Sequence, residues 1–299
     1  LNAAQARVIS IYFQVLSIAF INIWFLPMRY PRFLSIAGSD SGGGAGIQAD
    51  IKTASALGCY AMTAVTAVTA QNTCGVTAIH AIPADMLKAQ IEAVMDDIGI
   101  NALKIGMLHS PEVVEVVAWA IRHYGIEKVV LDPVMVSANG DPLITPETVE
   151  ILVRELFPLA SVVTPNLDEA AFLLQRPLTD RAQLDGAARD LLVMGAPTVL
   201  LKGAHLPGEQ IIDIFACSEG DWLRMEGARI PSANIHGSGC TLSSAIASYL
   251  AIGLPLQQAV TAGRNYILKA IAAGAPVKTG KGQGPVNHGF APLPMRLVQ

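Results

Sequence analysis

The segment HGSGCT (236–241) holds the residues best suited to chemistry in this chain. Two glycines interrupt the chain just ahead of Leu242, Ala245, Ile246, Tyr249 and Leu250, which stand at i, i+3, i+4, i+7 and i+8. That pattern predicts a tight loop feeding a buried helix. The first backbone N–H groups of a helix lack partners within it, and the helix dipole adds positive charge, so such a loop offers an anion site. Gly237, Ser238 and Gly239 would supply those amides, and Cys240 falls within the same field, which favours thiolate over thiol. An anion cradle beside a proton acceptor is what phosphoryl transfer to an alcohol needs. By itself the segment suits equally well a glycine-rich helix entry that buries a cysteine.

Other candidates stand singly. GSDSGGGAG (38–46) lacks the GK[ST] of a Walker A loop and is not a clean GxGxxG, so it reads as a ligand loop or a tight turn. Asp50 lies on the following helix as an acceptor inside a substrate pocket or as a solvated or capping carboxylate. Gln71 offers a donor and an acceptor, suited to the edge of a heteroaromatic ring or to bracing a loop. Asp132 precedes a proline and is either a strand end or a metal ligand. Asn166 and Glu169 straddle a helix start, where capping and first-turn acidic roles are common. Brought to one rim, Asp132, Asn166 and Glu169 would hold Mg²⁺ and its waters, as hard oxygen donors do. Lys202 follows the apolar VLL (199–201), and a phosphate would be a fitting counter-charge. His205, His236 and His288 show no metal-ligand spacing, so zinc is not expected. The glycine-rich GKGQGPVNH (280–288) is a loop that lines a nucleotide pocket or forms a surface tail.

The elements that must carry these residues alternate. Strands are expected at 33–37, 61–70, 102–106, 128–132, 161–165 and 198–202. Helices are expected from about 47 to 57, 83 to 98, 111 to 124, from 145, from 167, to 194, 239 to 252 and 256 to 273. A hairpin is expected from 210–217 and 222–225. Short apolar runs bounded by turns suit strands covered on both faces, and repeated β–α units predict a mainly parallel sheet between helix layers. In such a sheet ligands gather beyond the carboxyl ends of strands. Gly38–Gly46, Gln71, Gly106–Met107, Asp132, Asn166 with Glu169, and Lys202 all fall at that one rim.

With 299 residues, 52% hydrophobic and 15% charged, the chain can bury a large core. A net charge of −4 without a basic run argues against nucleic acid as a partner. Cys59, Cys74, Cys217 and Cys240 form no CxxC pair, which favours a reducing, cytoplasmic setting over a disulfide framework. Residues 8–26 form an uncharged apolar run, long enough for a membrane span. Gln14 and Asn22 interrupt it, and the first core strand follows directly after Met28. We read 1–27 as a hydrophobic extension outside the fold, against the alternative of a membrane anchor, and 28–299 as one domain.

Taken together, SIAGSDSGGGAGIQADIKTASALG (35–58), TAVTAQNT (66–73), KIGML (104–108), VVLDPVM (129–135), TPNLDEA (164–170), LLKGAH (200–205), HGSGCTLSSAIA (236–247) and GPVNH (284–288) resemble the hydroxymethylpyrimidine and phosphomethylpyrimidine kinases of thiamine biosynthesis. These belong to the ribokinase-like superfamily, with the pyridoxal kinases as relatives. The motifs keep the family order across nearly all of 28–299; Ser238 departs from the usual HGTGC, and 1–27 has no counterpart. The resemblance implies a three-layer α/β/α sandwich with a central, mostly parallel sheet, and ATP with Mg²⁺ as cofactors. It implies phosphorylation of 4-amino-5-hydroxymethyl-2-methylpyrimidine and then of its monophosphate, with pyridoxine or pyridoxal as the alternative acceptor. Asp50, Gln71, Met107 and Gly38 would surround the ring. Cys240 would take the alcohol proton, while Gly237, Ser238 and Gly239 would stabilise the migrating phosphoryl group. Lys202, Asn166 and Glu169 would attend the nucleotide, and Asp132 with Glu169 the metal. Relatives of this type often pair through apolar edges; the sequence does not fix the oligomeric state and leaves a homodimer open. Two readings from other classes remain: a cysteine hydrolase using Cys240 with His236, for which the sequence shows no orienting partner, and a non-catalytic ligand sensor.

Overall fold

The computed structural model describes residues 28–135 and 144–298. The segment 1–27, and with it the extension-or-anchor reading, lies outside them. Among the described residues no helix is long and apolar enough to cross a membrane.

Nine strands form one sheet: β1 (Arg32–Asp40), β2 (Tyr60–Asn72), β3 (Gly75–Ala81), β4 (Ala102–Ile105), β5 (Val129–Leu131), β6 (Val162–Val163), β7 (Thr198–Leu201), β8 (Gln210–Cys217) and β9 (Trp222–Ala228). Their order is β3-β2-β1-β4-β5-β6-β7-β8-β9. The run from β2 to β7 is parallel throughout; β3, β8 and β9 are antiparallel additions at the two edges.

The helices are α1 (Gly46–Ala56), α2 (Ala84–Asp97), α3 (Pro111–Tyr124), α4 (Pro146–Leu156), α5 (Leu167–Leu173), α6 (Leu184–Val193), α7 (Ser238–Ile252) and α8 (Leu256–Gly274). Local signals set several of their ends. Ser110 caps α3 ahead of Pro111, and Gly125, at φ +61°, closes it in the left-handed region that glycine adopts freely. Alternation along the strands sorts the layers. Leu34, Ile36, Leu103, Ile105, Val129 and Leu131 face one core shared with residues of α2 to α6. Phe33, Ala102, Val130 and Leu200 face the other, shared with residues of α1, α7 and α8. The expected three-layer α/β/α sandwich with a mostly parallel sheet is the observed, ribokinase-like architecture.

One strand escaped the sequence reading. β3 pairs with β2 at an open edge and is exposed from Thr77 to Ala81, so it shows no apolar alternation. Its register shift against β2 falls between Ala70 and Gln71.

Candidate active site

Strand order reverses at β1, whose neighbours β2 and β4 continue the chain in opposite directions across the sheet. A cleft beyond the carboxyl ends is expected at such a switch point. A cleft of about 540 Å³ lies there. Gly38, Gln71, Met107, Asp132, Asn166, Glu169, Lys202 and Gly237 to Cys240 all line it. Six strand ends and the start of α7 thus converge on one space. A Cβ at Gly38 would stand 3.0 Å from Met107 Cε, so a larger residue there would have to shift the end of that side chain.

Asp50 corrects the sequence reading. It does not line the cleft but is fully buried between β1, β4 and α7. Its carboxylate accepts Lys104 Nζ at 3.0 and 2.9 Å, Ser35 Oγ at 2.5 Å and Ser244 Oγ at 2.6 Å. With those lone pairs engaged, it has no edge to offer a ring.

At the helix start, Gly237 adopts φ +76°, and a side chain there would run into the Gly44 carbonyl. The two glycine loops therefore pack backbone to backbone. The Ser238 amide is corrected too: it donates to the Ile235 carbonyl at 3.1 Å instead of facing an anion. Among the described residues no backbone carbonyl takes the amides of Gly237, Gly239 or Cys240. Cys240 belongs with the anion site by its amide as well as its thiol.

The state of that thiol is a third correction. Cys240 lines the cleft and is half-buried, yet its surroundings push the thiol up to about 11. Burial is the main cause; Asp50 and Asp132 add to it, while Lys104 and the Gly46 amide oppose it. Desolvation and two carboxylates outweigh Lys104 and the Gly46 amide.

Beside Gly239 at the start of α7, Lys202 Nζ lies 3.0 Å from Asp132 Oδ1 and 4.0 Å from Glu169 Oε2. Asp132 therefore provides the counter-charge assigned to a phosphate from the sequence. Burial pushes the Asp132 carboxyl up, but Lys202 and Lys104 outweigh it and hold it below the usual range. Glu169 is pushed up to about 7 by burial and by Asp132, with Lys202 opposing. Two buried carboxylates around one ammonium suit a hard divalent cation, which would relieve the surplus negative charge. No group of three or more His, Cys, Asp or Glu able to hold a metal occurs among the described residues. Such a cation would complete its shell with water and phosphate oxygens, as Mg²⁺ does. The Asn166 side chain is committed to a capping box: its Oδ1 accepts the Glu169 amide at 2.9 Å, and Glu169 Oε2 accepts the Asn166 amide at 2.7 Å. Asn166 thus reaches the cleft chiefly by holding Glu169.

The sequence reading left Asp40 without a role and His236 without an orienting partner. His236 Nε2 lies 3.0 Å from Asp40 Oδ2 and 3.4 Å from Gln71 Nε2. Asp40 also accepts the amides of Gly42, Gly44 and Ala45 at 2.8 to 3.0 Å. Burial raises the Asp40 carboxyl, but His236 and these amides win and hold it low. A lone aspartate inside a glycine run was the available signal. The orienting partner absent from the sequence reading of a hydrolase does exist for His236, but the polar contacts of His236 run to Asp40 and Gln71, not to Cys240. The 280–288 loop reaches the cleft through Gln283.

The family model described as phosphomethylpyrimidine kinase matches residues 40–287. A hydroxymethylpyrimidine/phosphomethylpyrimidine kinase of Rhizobium meliloti is 49% identical over 257 residues, covering 85% of this chain and 96% of that protein. The crystal structure of phosphomethylpyrimidine kinase from Clostridium difficile 630 is similar at 42% identity and TM-score 0.70, over 80% of this chain and 99% of that one. An ADP complex of Bacillus subtilis pyridoxal kinase is similar at 35% identity and TM-score 0.80, over 87% and 98%. Kinase motifs, cleft and matches coincide in one stretch of chain, and the protein belongs to the phosphomethylpyrimidine kinase family.

Proposed function

We propose that this chain transfers the γ-phosphoryl group of ATP to the hydroxymethyl oxygen of 4-amino-5-hydroxymethyl-2-methylpyrimidine, and then phosphorylates the monophosphate to the diphosphate used in thiamine biosynthesis. The observation that carries this reading is the meeting of Cys240 and the free amides of α7 with Lys202 and Asp132 in one cleft.

Gln71, Met107 and Gly38 would border the pyrimidine, with Gln71 hydrogen bonding to its edge. The amides of Gly237, Gly239 and Cys240 would meet charge on the migrating phosphoryl group, an effect worth about 3 kcal/mol per donor. Lys202 would exchange part of its contact with Asp132 for the nucleotide phosphates. Asp132 and Glu169 would hold Mg²⁺, which offsets phosphate charge, and Asn166 keeps Glu169 aimed. Cys240, in its thiolate form, would receive the proton of the attacking alcohol.

Pyridoxal kinases share this fold, so the ratio of kcat/KM for the pyrimidine and for pyridoxal measures acceptor choice directly. The open edge strand β3, with Ile79 exposed, supports pairing of two chains as a homodimer. Four free cysteines fit a reducing, cytoplasmic setting. The central test is mass spectrometry of the products formed by the full chain with Mg-ATP and the hydroxymethylpyrimidine. Monophosphate followed by diphosphate is expected; neither product would overturn the reading.

A further inference from the structure

Under the floor of the cleft lies an ion pair for which the kinase reading has no use. Lys104, on β4, and Asp50, on α1, are both fully buried, with Lys104 Nζ at 3.0 and 2.9 Å from the carboxylate oxygens. Ser35 of β1 and Ser244 of α7 close the same carboxylate at 2.5 and 2.6 Å. Strand alternation accounts for this layer: Ser35 and Lys104 share their sheet face with Phe33 and Ala102, the face covered by α1 and α7. Ser244 lies one helical turn beyond Cys240, so the two point from one side of α7.

Lys104 also borders the cleft that Cys240 lines. A Cβ on Gly106 would stand 2.9 Å from Lys104 Nζ, so glycine keeps space open at the cleft end of the lysine. Desolvating two charges is costly, and apolar residues of similar volume would serve the core equally well. Asp50 occupies two of the three ammonium donors and leaves one direction unclaimed.

We propose that Lys104 is a positioning residue for the transfer step: anchored by Asp50 and bordering the cleft that Cys240 lines, its ammonium favours the Cys240 thiolate, which takes the proton of the acceptor hydroxyl and becomes the neutral thiol as the oxygen attacks phosphorus. This rests on the kinase reading for the role of Cys240, while its test reads the sulfur itself. The charged groups around that sulfur come from four places: Lys104 on β4, Asp50 on α1, Asp132 after β5 and Lys202 after β7. Lys104 favours the thiolate; Asp50 and Asp132 oppose it, and the Lys104 influence is larger than that of Asp50.

Opposite signs for the two partners separate this role from a structural one. Iodoacetamide modification of Cys240 in the full chain is followed against pH and quantified on the peptide that carries it. Lys104→Met should slow modification at pH 8.5 by about tenfold, and Asp50→Asn should speed it by a similar factor. Losing a structural brace would instead loosen the site in both variants and shift both the same way. That result, or no change in either, overturns the proposal. If a single variant fails to fold, Lys104→Met combined with Asp50→Asn removes both charges together. Slower modification than in the parent chain supports the proposal, and an equal or faster rate overturns it. Opposite shifts in a chain that makes no pyrimidine phosphate would sink the kinase reading and leave the Lys104 role standing.

Discussion

At the scale of single residues, Cys240 shows how neighbours overrule position. A thiol at a helix start is expected to ionise readily, yet burial and two carboxylates push this one up to about 11. The alcohol acceptor needs a proton removed, whereas the phosphate acceptor of the second step is already ionised near neutral pH. Cys240→Ala should therefore slow the first phosphorylation by about a hundredfold and the second far less. Single-turnover assays with each acceptor check this, and equal losses would remove Cys240 from the base role. Gly38 has a different task. Because Met107 Cε would be 3.0 Å from a new Cβ, Gly38→Ala should displace Met107 into the acceptor side of the cleft. Raised KM for the pyrimidine with little change in KM for ATP is expected in steady-state kinetics; equal changes in both would contradict that assignment.

At the scale of elements, the start of α7 is secured from two directions. Asp40 ties the loop after β1 to His236, and His288 Nδ1 lies 2.8 Å from Thr241 Oγ1 on the first turn of α7. The His288 imidazole is held down at about 4, first by burial and then by the nearby charges of Lys52 and His236. Its ordinary value is 6.5, so the unfolded chain binds this proton more readily than the folded one. The contribution to stability is complete above pH 6.5 and is lost as pH falls toward 4, a change of up to about 3 kcal/mol. Urea melts across that range should show a flatter pH dependence in His288→Asn. An unchanged slope would show that other groups carry the acid sensitivity.

At the scale of the whole molecule, the switch in strand order around β1 creates the cleft, and the edge at β3 leaves Ile79 in solvent. If two chains pair there, Ile79→Arg should convert a dimer to a monomer in sedimentation velocity, since an unpaired charge opposes burial of the face. Because Ile79 also borders the cleft, acceptor KM should be followed in the same variant. A parent chain that sediments as a monomer would dismiss the pairing.

The sequence by itself determined the alternation of strands and helices, the rim at which Gly38, Gln71, Met107, Asp132, Glu169 and Lys202 meet, and the family motifs. These depend on periodicity, turn residues and short spacings, which are local properties of the chain. Only the tertiary structure decided that Asp50 faces Lys104 instead of a ligand, that the Ser238 amide turns inward, and that the Cys240 thiol is raised. Lys104 sits in ALKI as one polar residue on an alternating strand, and nothing local says which helix will cover it. The charge on a buried group follows from every element packed around it, and those elements come from β1, α1, β4, β5, β7 and α7, far apart in the chain.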